Sequence, residues 1–223
     1  MIVCCVKVGT QYGPEYVNRL AAMVARHTTR PYTFLCLTDN PTGLTCAHAP
    51  IGTDLPGWWA KLVLFQPHPA LAGQRVLYLD LDTLIVGTAD LLLEYDGPLA
   101  VLQDFYRPHG YGSAVMSIAP GEGAEVWRTF QANPLAVMQN HHGDQDWIQL
   151  SRPGADRWQA LYPGLIVSYK VHCLEGLPEG AAVVCFHGFP KQTDLVQIPW
   201  VQEAWHVGDA LTGSRGLASA DAR

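Results

Sequence analysis

Val76-Leu77-Tyr78-Leu79-Asp80-Leu81-Asp82-Thr83-Leu84 is an apolar strand that runs into two carboxylates one residue apart and turns apolar again at once. Leu77, Leu79 and Leu81 alternate with Tyr78, Asp80 and Asp82, so an extended chain sets both carboxylates on one face. Carboxylates are costly to bury unless they are paired or bound to a metal. An Asp-x-Asp string also arises as solvated turn residues or helix caps. What separates this one is its place at the end of a strongly apolar strand, where a surface turn is not expected. The pattern predicts a strand end built to hold a divalent cation.

Outward from this stretch, strand and helix patterns alternate. Residues 2–8 form a near-continuous apolar run bounded by Gly9, as a buried parallel strand does. Pro14-Glu15 then opens a helix whose apolar positions Tyr16, Val17, Leu20, Met23 and Val24 recur at helical spacing. Residues 32–37 read as a second strand, stopped by Thr38-Asp39-Asn40-Pro41. Residues 58–65 read as a short helix and 75–79 as the strand leading to the carboxylates. Thr88 is placed to cap a helix through Tyr95, with Asp90 in its first turn. Further strands are expected at 99–102, 114–119, 165–169 and 181–186, and helices at 122–131, 144–150 and 198–205. With no repeat and no linker, this is the pattern of a single α/β domain, with a mainly parallel central sheet flanked by helices. It is expected to occupy residues 1–207, followed by a frayed tail at 208–223.

The 223 residues are 48% apolar and 15% charged, a globular balance. A formal charge of −6 argues against a protein that coats nucleic acid or an anionic membrane. No apolar run approaches a membrane span, and Met1–Val8 lacks the basic region of a signal peptide. Cys4, Cys5, Cys36 and Cys185 sit in strand-like runs without a CxxC pair, which favours buried free thiols and a cytoplasmic location.

In sheets of this kind ligands bind beyond the carboxyl ends of the strands. Gly9–Tyr12, Thr38-Asp39, Asp80–Asp82 and His187–Lys191 each follow an apolar strand directly, so all four are expected on one edge. His187 beside Asp80 and Asp82 completes a mixed oxygen and nitrogen ligand set, which favours Mn2+ with Mg2+ as the alternative. A histidine here is otherwise a hydrogen-bonded structural residue. Gly188 lets a backbone approach a phosphate, and Lys191 supplies a point charge to it.

The strand, the D-x-D and the late His187-Gly188-x-x-Lys191 together resemble retaining glycosyltransferases of the GT-A fold, in particular the glycogenin-like and galactosyltransferase-like family 8. Gly143-Asp144-Gln145-Asp146-Trp147 resembles the family's Asp-Gln-Asp segment near the reacting sugar, and the likeness extends to about Trp205. The resemblance implies a GT-A (Rossmann-like) domain that moves a sugar from a nucleotide sugar, a UDP-sugar, to a hydroxyl acceptor with retention. It implies Asp80, Asp82 and His187 as metal ligands, with Asp80 also touching the ribose. Val8, Gly9, Tyr12 and Asp39 are implied around the base and ribose, Gly188 and Lys191 at the diphosphate. Lys61, Asp104, Asp144 and Gln145 are implied at the sugar. Two departures stand out: Gly188 follows His187 directly, and Gly112-Ser113-Ala114 replaces the usual Asn-x-Gly.

Plainer readings stand beside these. Asp144 is also readable as a helix cap, Asp39 as a turn former. Lys61 is also readable as a snorkelling surface residue. His141-His142 are expected to be solvated, and the tryptophans to be core. The segment from Tyr106 to Tyr111 is polar and aromatic enough for a flap over the acceptor. A nucleotidyltransferase is the rival enzyme, although Gly9-Thr10-Gln11-Tyr12-Gly13 lacks the lysine it wants. A non-catalytic nucleotide-sugar binder is the third reading. For the acceptor, a surface glycan or lipid-linked saccharide comes first, with a protein side chain or a hydroxymethylated DNA base as alternatives.

Overall fold

A computed structural model of the chain describes residues 1–206; the tail expected at 208–223 lies outside the described residues. Strands β1 to β10 span Ile2–Lys7, Thr33–Thr38, Ala47–Pro50, Val76–Leu79, Thr83–Ile85, Leu99–Gln103, Tyr111–Ile118, Asp156–Arg157, Ile166–Ser168 and Val183–Cys185. Helices α1 to α8 span Pro14–His27, Asp90–Glu94, Ala124–Ala132, Pro134–Asn140, Asp144–Ser151, Trp158–Leu161, Tyr169–His172 and Pro199–His206.

The main sheet runs β3-β2-β1-β4-β7-β6-β8. β1 pairs in parallel with β2 and β4, and β2 with β3, while β7 lies antiparallel between β4 and β6. The buried all-apolar pattern of β1 follows from this central position, because a parallel strand covered on both faces has no polar side to show. Cys5 packs with Val3 on one face and Cys4 with Ile2 and Val6 on the other. All six cysteines are free, including Cys5 and Cys36, which sit opposite each other on neighbouring strands.

The helix expected after Pro14 forms as α1 and buries Tyr16, Val17, Leu20, Met23 and Val24. Each such side chain removed from water is worth roughly 1.5–3 kcal/mol. That stripe fixes α1 against the sheet and delivers Gly9–Tyr12 to the carboxyl edge.

Three expectations need correction. First, the carboxylates are not on the strand. β4 ends at Leu79, where the Asp80 amide donates to the Ala114 carbonyl at 2.8 Å. The Thr83 amide and hydroxyl then both turn back to the Asp80 carbonyl, at 3.2 and 2.7 Å. Asp80 to Asp82 therefore form a turn, and β5 leaves for a second sheet of order β5-β10-β9. Second, residues 58–65 belong to a 3-10 helix, Gly57–Phe65, in which all but Gly57 and Trp58 are buried. Its buried residues run without a break from Trp59 to Phe65, the Lys61 side chain among them, so it has no single apolar face to satisfy with an α-helix. Third, Thr88 does not cap the helix that follows; α2 starts after Ala89 without a side-chain cap. Asp90 instead accepts from the Thr28 hydroxyl and the Thr29 amide and hydroxyl, which ties α2 to the end of α1.

Candidate functional site

The loops after β1, β4 and β10 and the start of α5 converge on a cavity of about 500 Å3 at the carboxyl edge of the main sheet. Asp80 and Asp82 stand on one wall. Each is already matched with a lysine. The Lys61 ammonium donates to Asp80 Oδ2 and to Ser113 Oγ, both at 3.0 Å, and lies 3.7 Å from Asp144 Oδ2. Lys191 Nζ donates to Asp82 Oδ2, which also accepts from the Tyr12 hydroxyl at 3.1 Å. The Tyr78 hydroxyl closes the set on Asp80 Oδ1 at 2.5 Å.

Burial decides how these groups titrate. The Lys61 side chain is 10% exposed and that of Asp144 4%. Burial alone would pull the Lys61 ammonium down, but Asp144 and then Asp80 more than offset it and hold it above its usual range. Burial pushes the Asp82 carboxyl up and the nearby Asp80 charge adds to it, with Lys191 opposing both. Asp144 is likewise pushed up by burial against the pull of Lys61, and its Oδ2 accepts no hydrogen bond. Such a cluster is short of positive charge, as a cation site should be.

A second constellation faces it. Asp104 takes the backbone amides of Tyr106 and Arg107, the Arg107 guanidinium and the Gln145 side-chain amide. Burial alone would raise its carboxyl, and the Tyr106 and Arg107 amides with the Arg107 guanidinium bring it below the usual range. Arg107 also reaches Asp146 at 3.3 Å, so the 104–111 loop is pinned to α5. Trp58, 57% exposed, Tyr106 and His142 line the remaining rim.

His187 lines the same cavity, but its Nε2 shares a 2.7 Å hydrogen bond with Ser168 Oγ and its ring stacks on Phe105. Burial, helped by the neighbouring Lys170 charge, lowers its pKa. Among the described residues no three His, Cys, Asp or Glu side chains converge as a metal-holding group. The two carboxylates nonetheless suit a hard divalent cation, which is commonly held by one or two carboxylates plus substrate phosphate oxygens.

No protein-family model matches the sequence, and no curated protein does. Solved structures do. The galactosyltransferase LgtC, in complex with donor and acceptor sugar analogs, superposes with a TM-score of 0.65 at 16% identity, over 96% of this chain and 98% of that one. The glycosyltransferase GlyE of Streptococcus pneumoniae TIGR4 gives 0.68 at 14% identity, over 93% of this chain and 61% of that one. WbbM, a bifunctional glycosyltransferase in its apo form, gives 0.59 at 11%, over 92% and 51%. The fold is the GT-A fold.

Within this GT-A fold, most of the residues singled out by sequence lie together. Val8, Tyr12, Lys61, Asp80, Asp82, Asp104, Asp144, Gln145, His187, Gly188 and Lys191 all line the one cavity. Gly9 and Asp39 do not; the Gly9 amide donates to Asp39 Oδ2 at 2.8 Å, and they shape the loop that carries Tyr12. Asp144 is not the helix cap, a position held by Gly143, and Lys61 is not a snorkelling residue but a buried one. Trp58 departs from the expected core placement, while Trp59 and Trp158 keep it. Sequence reading missed Tyr78, Ser113 and Ser168. Tyr78 had a signal, since it alternates onto the face of Asp80, and Ser113 stands in the segment that replaces Asn-x-Gly; Ser168 had none.

Proposed function

We propose that the chain is a metal-dependent glycosyltransferase that moves a sugar from a nucleotide sugar, a UDP-sugar, to a sugar hydroxyl with retention at the anomeric carbon. The observation that carries this is the pair Asp80 and Asp82, each in contact with a lysine, lining one cavity of a GT-A fold together with Asp144 and Gln145. Val8 and Tyr12 flank the nucleoside, and Gly188 and Lys191 take the diphosphate. Asp80 and Asp82, with His187 once it releases Ser168, would hold Mn2+ or Mg2+, which when bound offsets charge on the departing diphosphate.

The net step breaks the bond between the anomeric carbon and the terminal phosphate oxygen, which keeps the electron pair. The acceptor oxygen bonds that carbon and loses its proton to the departing phosphate. Lys191 supports the growing negative charge. Asp104 and Gln145, bonded to each other at 3.3 Å, orient the sugar. Gln145 is a positioning residue, because an amide takes no proton near neutral pH. The net acidic charge favours a saccharide acceptor over a DNA base. No helix among the described residues is long and apolar enough to cross a membrane.

The test is thermal stabilisation against nucleoside diphosphates and UDP-sugars, each with and without Mn2+. Stabilisation by UDP that needs Mn2+ and disappears in Asp82→Ala is the expected result. A wild-type protein that no nucleotide stabilises would sink the proposal. Slow hydrolysis of a UDP-sugar by the wild type then separates an enzyme from a mere binder.

A further inference from the structure

The cavity's cations are already spoken for, with one exception beside it. Lys61 is shared between Asp80 and Asp144, Lys191 belongs to Asp82, and Arg107 to Asp104 and Asp146. A diphosphate entering this site meets carboxylates at least as numerous as the free charge it needs. Lys170 differs. It is the second residue of the short helix α7 and makes no ion pair among the described residues.

Register puts it there. β9 and β10 are parallel, with Ser168 opposite Cys185, so Lys170 and His187 each emerge two residues past paired strand ends. The Lys170 Nζ lies 3.0 Å from the point a Cβ on Gly188 would occupy. Gly188 itself holds φ +70, a left-handed conformation that glycine alone adopts without strain, and it lines the cavity. The absent side chain thus lets the Lys170 ammonium close on the backbone at residue 188, which lines the cavity that Lys170 itself does not line.

Resting on the donor-site proposal above, we infer that Lys170 is a second phosphate-binding lysine, which holds the terminal phosphate of the nucleoside diphosphate across Gly188 while Lys191 works from the other side. With the nucleoside against Val8 and Tyr12, the phosphate that reaches the Lys170 side is the one farther from the nucleoside. Lys170 acts on the leaving group as a point charge, needing no geometry finer than a flexible lysine gives.

The experiment is calorimetric titration of UDP and of UMP, both with Mn2+, into wild type, Lys170→Gln and Lys170→Arg. The glutamine variant is expected to bind UDP roughly fivefold more weakly, the size of one partly exposed charge contact, and UMP within twofold of wild type. The arginine variant, which keeps the charge, is expected to retain most UDP affinity. Unchanged melting temperatures without nucleotide show that α7 is intact. Equal losses for UDP and UMP, no loss for either, or a loss in the arginine variant as large as in the glutamine one overturns the inference and leaves the donor site standing. A wild type that binds neither nucleotide brings down the donor site and this inference together.

Discussion

Replacing Lys61 by methionine keeps the length of the side chain and removes the ammonium that Asp80 and Asp144 share. At an effective dielectric of about 20, unit charges 3.0 Å apart attract by roughly 5.5 kcal/mol, and 3.7 Å apart by roughly 4.5 kcal/mol. Much of that offsets the cost of desolvating three charges, so the net loss is set by what is left unpaired. Breaking a buried pair by removing one partner costs about 3–5 kcal/mol. Here Asp144 bears most of it, being almost fully buried with an oxygen that accepts no hydrogen bond. The loss has a ceiling, because Asp144 is already pushed upward by burial and takes a proton more readily without Lys61. A carboxyl whose folded pKa is raised holds its proton more tightly folded than unfolded. The variant is therefore most stable in acid and loses stability as pH rises from the unfolded value through the raised folded one. Urea unfolding at pH 5 and pH 8 is expected to show a deficit of about 3 kcal/mol at pH 8 and a smaller one at pH 5. Lys61→Met with Asp144→Asn is expected to recover more than half of the loss at pH 8. A deficit below about 1 kcal/mol at pH 8, or a double variant no better than the single, would refute the ionised Lys61–Asp144 pair.

Gly188→Ala forces a side chain into a left-handed backbone and against Lys170, so a loss of about 1–2 kcal/mol is expected, read as a lower melting temperature, together with weaker UDP binding. Asp90, held down to about 2 by the Thr28 and Thr29 hydroxyls and the Thr29 amide, contributes stability that is present above its unfolded value of 3.8 and lost as pH falls toward 2. Asp90→Asn is thus expected to melt lower than wild type at pH 7, with the gap closing in acid; a gap independent of pH argues against it. Gln145→Ala is expected to lower kcat severalfold with little change in the UDP dissociation constant, which a steady-state and a binding measurement together resolve.

The α/β alternation, the carboxyl edge and eleven of the cavity's residues were legible because each depended on a local pattern: an apolar run, then a turn carrying polar groups. What the sequence hid was contact between distant segments. Nothing near Ser113 announces that it will receive the Lys61 ammonium, and nothing near Ser168 that it will hold His187. The stretch from Asp80 to Asp82 was read as extended because alternation continues through Leu81, while the bend comes from the Thr83 amide and hydroxyl, which donate back to the Asp80 carbonyl. Likewise β5 is three residues long and gains its identity only by pairing with β10, a hundred residues away along the chain. Nor does anything near Asp39 announce that it will accept from the Gly9 amide thirty residues earlier.

The turn that carries the two carboxylates has no spare backbone acceptor. Asp80's carbonyl is taken by Thr83, Leu81's by the buried Gln192 side chain at 3.0 Å, and Asp82's by the Phe186 amide at 2.9 Å. The turn's own Thr83 and one stretch about a hundred residues further along the chain, from Phe186 to Gln192, thus clamp three successive peptide units. To move the backbone beneath either carboxylate, the chain would have to give up these hydrogen bonds together. Peptide hydrogens here should trade with solvent only when the whole molecule opens. An incoming substrate meets a fixed anvil, and whatever closes on it must swing from the opposite wall.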